Sequence, residues 1–124
     1  MKDEASLFKV LADPIRLRLA VLLAINGETC VCMLTQALKE PQFKISKHLA
    51  VMRSARMVEA RREGTWMHYK LVKPRFALEH CLQDCLRDCL NDNREAKADM
   101  KRFASAKCDP PAAEPKKKNR KVRQ

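Results

Sequence analysis

Glycine is nearly missing: the chain has two in 124 residues. Phosphate-cradling loops need glycine for close backbone approach, and no such loop is present. A nucleophile–base pair and a redox Cys-x-x-Cys are also lacking, so the chain is not expected to be an enzyme. No apolar run is long enough to cross a bilayer. The opening stretch, MKDEASLFKV, carries acidic residues and lacks the apolar centre of an export signal. These absences exclude a membrane partner and lead to the expectation of a cytoplasmic protein.

Positive charge and cysteine are abundant. Lys and Arg total 26 against 15 Asp and Glu, a formal net charge of +11. Such an excess favours polyanions, because each neutralised phosphate releases condensed counterions. Part of it sits in a terminal run from Lys116 to Arg123, so the charge alone does not decide the partner. There are six cysteines. In a reducing compartment thiols serve as ligands or redox groups more often than as staples.

The length fits one domain, expected over residues 1–107, followed by a disordered basic tail over 108–124. Residues 4–12 read as a first helix. Asp13-Pro14 restarts the chain, with Asp as N-cap and Pro at the first helical position. Ile15, Leu19, Leu22 and Leu23 then form a buried helical stripe, closed by Asn26-Gly27. A third helix is expected from Thr29 to Leu38, and a fourth from Gln42 to Ala55 after a break at Lys39-Glu40-Pro41. Ile45, Leu49 and Met52 face inward on the fourth, and Lys44, Lys47 and His48 lie elsewhere on it. Two short helices with a tight break are the pattern of a helix-turn-helix. Residues 57–71 shift to a strand period around Glu63-Gly64, a hairpin. A hairpin directly after such a pair predicts a winged helix-turn-helix, mainly α with a β-hairpin wing. After Pro74, Leu78, Cys81, Leu82, Cys85, Leu86, Cys89 and Leu90 recur at steps of three and four, a narrow seam. A partner subunit is the expected cover for it, giving a homodimer joined through terminal helices. A weaker helix over residues 94–107 follows, using Ala96, Met100 and Phe103.

The run from Leu7 to Arg16, the Cys30-Val31-Cys32 triplet, the stretch from Lys44 to Leu49 and the segment from Arg61 to Trp66 together resemble the ArsR/SmtB family of metal-sensing repressors. The likeness covers roughly residues 5–90. It implies a homodimer that represses by binding double-stranded operator DNA at an inverted repeat and that loosens when inducer binds. Within that family, Cys-Val-Cys at this position implies the arsenite-responsive branch, with As(III) or Sb(III) as inducer and Cd(II) or Pb(II) as further candidates.

Gln42, Lys44, Ser46, Lys47 and His48 occupy the reading positions of the fourth helix, where side chains meet base edges and phosphates. A Gln amide suits the N6 and N7 of adenine. Arg61, Arg62 and Lys70 on the wing are expected to grip an adjacent groove or backbone. Pro41 stands where the family often has a serine N-cap, and proline cannot cap through its side chain.

Cys30 and Cys32 are the expected metalloid ligands. On an ideal helix positions i and i+2 point about 200° apart, so sharing one ion requires the first turn to loosen. Soft centres such as arsenite prefer thiolates, and a helix N-terminus favours the thiolate form. The related arsenite pattern places a third cysteine three residues after Cys32, where this chain has Thr35. The third ligand is therefore Cys108 or one of Cys81, Cys85 and Cys89. The last three share a helix face with leucines and are read first as filler of the subunit interface, with a second thiolate site as the other reading. Two rival functions share the fold: a thiol redox sensor, and a sequence-tolerant architectural DNA binder led by the basic tail.

Overall fold

The computed structural model describes residues 1–108; the DPPAAEP segment and the basic run expected to form a tail lie outside the described residues. Six helices and three strands follow one another as α1 (Lys2–Leu11), α2 (Pro14–Asn26), β1 (Thr29–Cys30), α3 (Val31–Leu38), α4 (Gln42–Ser54), β2 (Val58–Glu63), β3 (Trp66–Leu71), α5 (Ala77–Asp88) and α6 (Arg94–Ser105). The winged helix-turn-helix expected from the pattern is present.

Local chemistry sets the first boundaries. The Asp13 carboxylate accepts from the backbone N–H groups of Ile15 (2.9 Å) and Arg16 (3.2 Å), capping α2 behind Pro14. At the other end Gly27 has φ 74° and ψ −153° and donates its N–H to the Leu23 carbonyl at 2.9 Å. That backbone region is essentially closed to side-chain-bearing residues. Between the caps, Leu19 to Leu23 are buried without interruption. Of the stripe expected from spacing, Leu19, Leu22 and Leu23 are enclosed and Ile15 stays half-buried, and the enclosure widens to Ala20 and Val21 because α2 is packed by α1, α3, α4, α5, α6 and β3.

The third helix begins two residues later than the sequence predicts. Thr29 and Cys30 form β1, paired antiparallel with β3 through Thr29↔Tyr69 and Cys30↔His68. Pairing with β3 satisfies their backbone groups, and the sheet takes the order β1-β3-β2. A three-residue turn with Lys39 in the left-handed region (φ 55°) leads from α3 to α4. Ile45, Leu49 and Met52 are fully buried, as their spacing predicts. The wing pairs from Val58↔Leu71 to Glu63↔Trp66, leaving Gly64-Thr65 as its tip, with Gly64 at φ 62°.

The seam on α5 divides in two. Leu86 is buried, and Leu82 packs half-buried against the chain's own core, whereas Cys81, Cys85 and Cys89 are exposed. The leucine side is thus covered by the same chain, chiefly through α2. The cysteines lie on the neighbouring stripe, which the single chain leaves exposed. Helix α6 ends at Ser105, and its most buried residue is a carboxylate, Asp99, at 1% exposure.

Candidate nucleic-acid interface and thiol site

Pro41 provides no side-chain cap, so α4 starts with backbone N–H groups that no side chain satisfies. Around that end Gln42, Lys44 and Lys47 are exposed. Lys44 is partly engaged by Glu40 at 3.2 Å, and the Lys47 ammonium lies 5.5 Å from the centre of the Phe43 ring. Phe43 itself is 75% exposed. The sequence reading passed over it, although it lies two residues before buried Ile45 and hence on the opposite side of the helix. An exposed aromatic on a reading helix suits the methyl group of thymine.

Ser46 and His48 stand apart from this face. Ser46 is half-buried. His48 is 19% exposed and turned toward the start of α2, with its Nδ1 3.8 Å from Asp13 Oδ1 and 3.5 Å from an Arg16 guanidinium nitrogen. Arg16 also donates from Nε to the Val10 carbonyl at 2.7 Å, tying α1, α2 and α4 together. Burial pushes the Asp13 carboxyl up, but its cap bonds and the neighbouring His48 and Arg16 hold it below the usual range.

On the wing, Arg61 is clasped by Glu28 through two hydrogen bonds, of 3.2 and 2.8 Å. Arg62 and Lys70 are exposed, and among the described residues neither has an ion-pair partner within 4.0 Å. These two are therefore the wing cations left without an ion pair among the described residues.

The thiols draw together distant parts of the chain. Cys32, on the first turn of α3, is disulfide-bonded to Cys108, 76 residues later. Gln36, one turn further along α3, organises the junction. Its amide nitrogen donates to the Lys107 carbonyl at 2.6 Å and lies within 3.3 Å of both sulfurs, and its amide oxygen accepts from the Lys107 N–H at 3.0 Å. Sequence reasoning missed Gln36, which carries no motif signal. It also missed the bolt that holds α6 in place. Asp99 takes two hydrogen bonds from Arg18 (2.9 and 2.8 Å) and one from Arg102 (2.8 Å). The same arginines donate to the Leu38 and Ala37 carbonyls at the end of α3. Helix α3 is thus fastened at its start to the segment that follows α6 and at its end to α6 through Arg102.

Cys30 is N-cap of α3 and 8% exposed. Of the three expected ligands, Cys32 and Cys108 meet and Cys30 sits buried on β1. Among the described residues no three His, Cys, Asp or Glu side chains form a ready metal cluster. Thr35, in place of the patterned cysteine, donates its hydroxyl to the Cys32 carbonyl at 2.7 Å. His80 is paired with Asp84 at 3.5 Å on the exposed side of α5.

Comparison with known proteins agrees with this architecture. The profile of the family described as "Bacterial regulatory protein, arsR family" matches residues 13–60. An HTH-type transcriptional regulator of Methanocaldococcus jannaschii is 48% identical over 71 residues, spanning 57% of this chain and 80% of that protein. An arsenical resistance operon repressor of Escherichia coli is 49% identical over 65 residues, spanning 52% of this chain but only 56% of that protein. Among solved structures, a homodimeric winged helix-turn-helix DNA-binding domain from Mycobacterium bovis superimposes with a TM-score of 0.58 at 31% identity, covering 75% of this chain and 86% of that one.

Proposed function

The chain belongs to the ArsR family of winged helix-turn-helix transcriptional repressors, and from that premise we propose that it holds an inverted-repeat operator as a homodimer and releases it when trivalent arsenic or antimony binds Cys30, Cys32 and Cys108. The observation that carries this reading is the meeting of Cys32 and Cys108. Two thiols so far apart in sequence are held together by a polar clasp, on the helix that precedes the reading helix. In the reduced protein these are two sulfurs already within reach of one soft centre. The third, Cys30, joins them only if the junction of β1 and α3 deforms. A ligand shifts an equilibrium by its differential affinity for the two states, so three-sulfur capture favours the deformed junction. Because β1 is paired with the wing and α3 packs on α4, that deformation reaches both parts of the DNA-reading surface.

In this reading Gln42, Lys44 and Lys47, with Arg62 and Lys70 from the wing, face the duplex. Ser46 and His48 support α4 from the side, and Arg61 must exchange Glu28 for phosphate. Residues 1–107 serve as the DNA-binding and dimerising unit, and the basic tail adds sequence-independent affinity. The closing test is an operator-release titration by fluorescence anisotropy on the reduced protein. Cys32→Ser and Cys108→Ser should bind operator normally and lose arsenite-driven release. Normal release by both would remove the proposed site. Cadmium and lead belong in the same titration as the softer-cation alternative.

The disulfide favours one second reading, a redox sensor. With peroxide as oxidant, two thiols give up two electrons and two protons to form the S–S bond while peroxide becomes two waters. Release by peroxide without metalloid, abolished in Cys108→Ser, would favour it over metalloid sensing.

A further inference from the structure

Phe43 has no task in the function proposed above, and its setting is costly. Burying a phenyl ring is favourable, yet this one stands 75% exposed, more than any other aromatic among the described residues. It is the second residue of α4, between exposed Gln42 and exposed Lys44, at the end whose N–H groups no side chain caps. Ile45, two residues on, is fully buried. Positions two apart on an α-helix point about 200° apart, so the ring lies on the outward side. Lys47 stands one turn further along that side, its ammonium 5.5 Å from the ring centre. A dry apolar partner seated on the ring would strip water from that ammonium. A polyanion would welcome it.

In the major groove the four base pairs differ in their donors and acceptors, and thymine alone adds a methyl group. A phenyl ring offers no hydrogen bond. Set against adenine N7 or guanine O6, it would take an acceptor out of water without replacing the lost bond, which costs free energy. Set against the thymine methyl, it removes apolar surface from water on both sides. Lys47, attracted to the face of the ring, is held where phosphates border the groove. Base contact and backbone contact then come from one side of the helix.

We propose that Phe43 is a specificity-determining residue whose ring packs on the C5-methyl group of one thymine in each operator half-site. The inference rests on α4 as the helix that enters the groove, and it names a base that this helix selects.

The test compares thymine with deoxyuracil, which lacks the C5-methyl group and keeps every hydrogen-bonding atom. The reduced full-length protein first selects its operator from a random duplex library. Each thymine of the half-site, with its symmetry mate, is then replaced by deoxyuracil, and binding is followed by fluorescence anisotropy at constant salt. One position should stand out, with affinity falling about 4-fold for one half-site and about 15-fold for both, as for the loss of a buried methyl contact. Phe43→Ala should bind the thymine duplex more weakly and no longer distinguish it from the deoxyuracil duplex. Operator binding with no deoxyuracil-sensitive position, or a thymine preference that persists in Phe43→Ala, would overturn the assignment and leave the repressor reading standing. Failure to select any duplex would overturn both. No metalloid enters the measurement, so its outcome is separate from that of the operator-release titration.

Discussion

Lys47 combines two properties that suit it to phosphate: it is exposed, and its ammonium rests over the Phe43 ring with no acidic partner among the described residues. Lys47→Ala should weaken operator binding and lower the salt slope of log K by about 1, the signature of one lost phosphate contact. Arsenic uptake, followed by mass, should stay unchanged. On the wing, Arg62→Ala should cost more operator affinity than Arg61→Ala, because Arg61 must first part from Glu28. Equal losses in an anisotropy titration would show that the Glu28 clasp does not matter on DNA. Single residues were legible where a pattern marked them. Asp13 announced its cap through the proline that follows it, and the helical positions of Lys44 and Lys47 placed them outside. His48 was misplaced because spacing gives an angle around the helix but not the neighbour, here Asp13, that draws the side chain inward.

At the scale of elements, the break between α2 and β1 depends on one backbone conformation. An added Cβ at Gly27 would meet open space, with no atom within 4 Å, so any penalty is conformational alone. Gly27→Ala should destabilise the fold by about 1–3 kcal/mol, measured by urea unfolding with an unchanged m-value. Helix order, the turn before α4 and the wing all followed from periodicity and breakers. The two-residue strand did not, because Thr29-Cys30 reads as the opening of a helix until β3 is beside it. Nor did the division of α5 into a covered leucine stripe and an open cysteine stripe. Steps of three and four residues describe both stripes equally, and only the position of α2 separates them.

For the molecule as a whole, two buried carboxylates, Glu79 and Asp99, stand beside the apolar core as points of stability. Asp99 is 2% exposed at its side chain and binds two arginines. Removing one partner of a buried pair strands the others, so Asp99→Ala should cost about 3–5 kcal/mol and loosen α6 from α3. Chemical unfolding together with amide exchange at Ala37 and Leu38 would check both parts. Nothing in the sequence flagged Asp99, which stands among lysines and arginines like a surface residue. Acid should act through Glu79. Burial raises its carboxyl, but three hydrogen bonds from Arg75, all within 2.9 Å, bring it below its ordinary value. A lowered folded pKa means that the stabilisation is complete above the unfolded carboxylate pKa of about 4 and drains away as pH falls through the folded one. The melting temperature should therefore drop on acidification below about pH 4, and more gently in Glu79→Gln. An identical pH profile for that variant would exclude Glu79 as a source.

The bond between Cys32 and Cys108 closes a ring that contains α4 and both wing strands, and leaves α1 and α2 outside it. A protease that nicks the exposed wing tip at Gly64-Thr65 would therefore free no fragment from the oxidised chain. The two pieces would travel as one species on a gel until a reductant parted them.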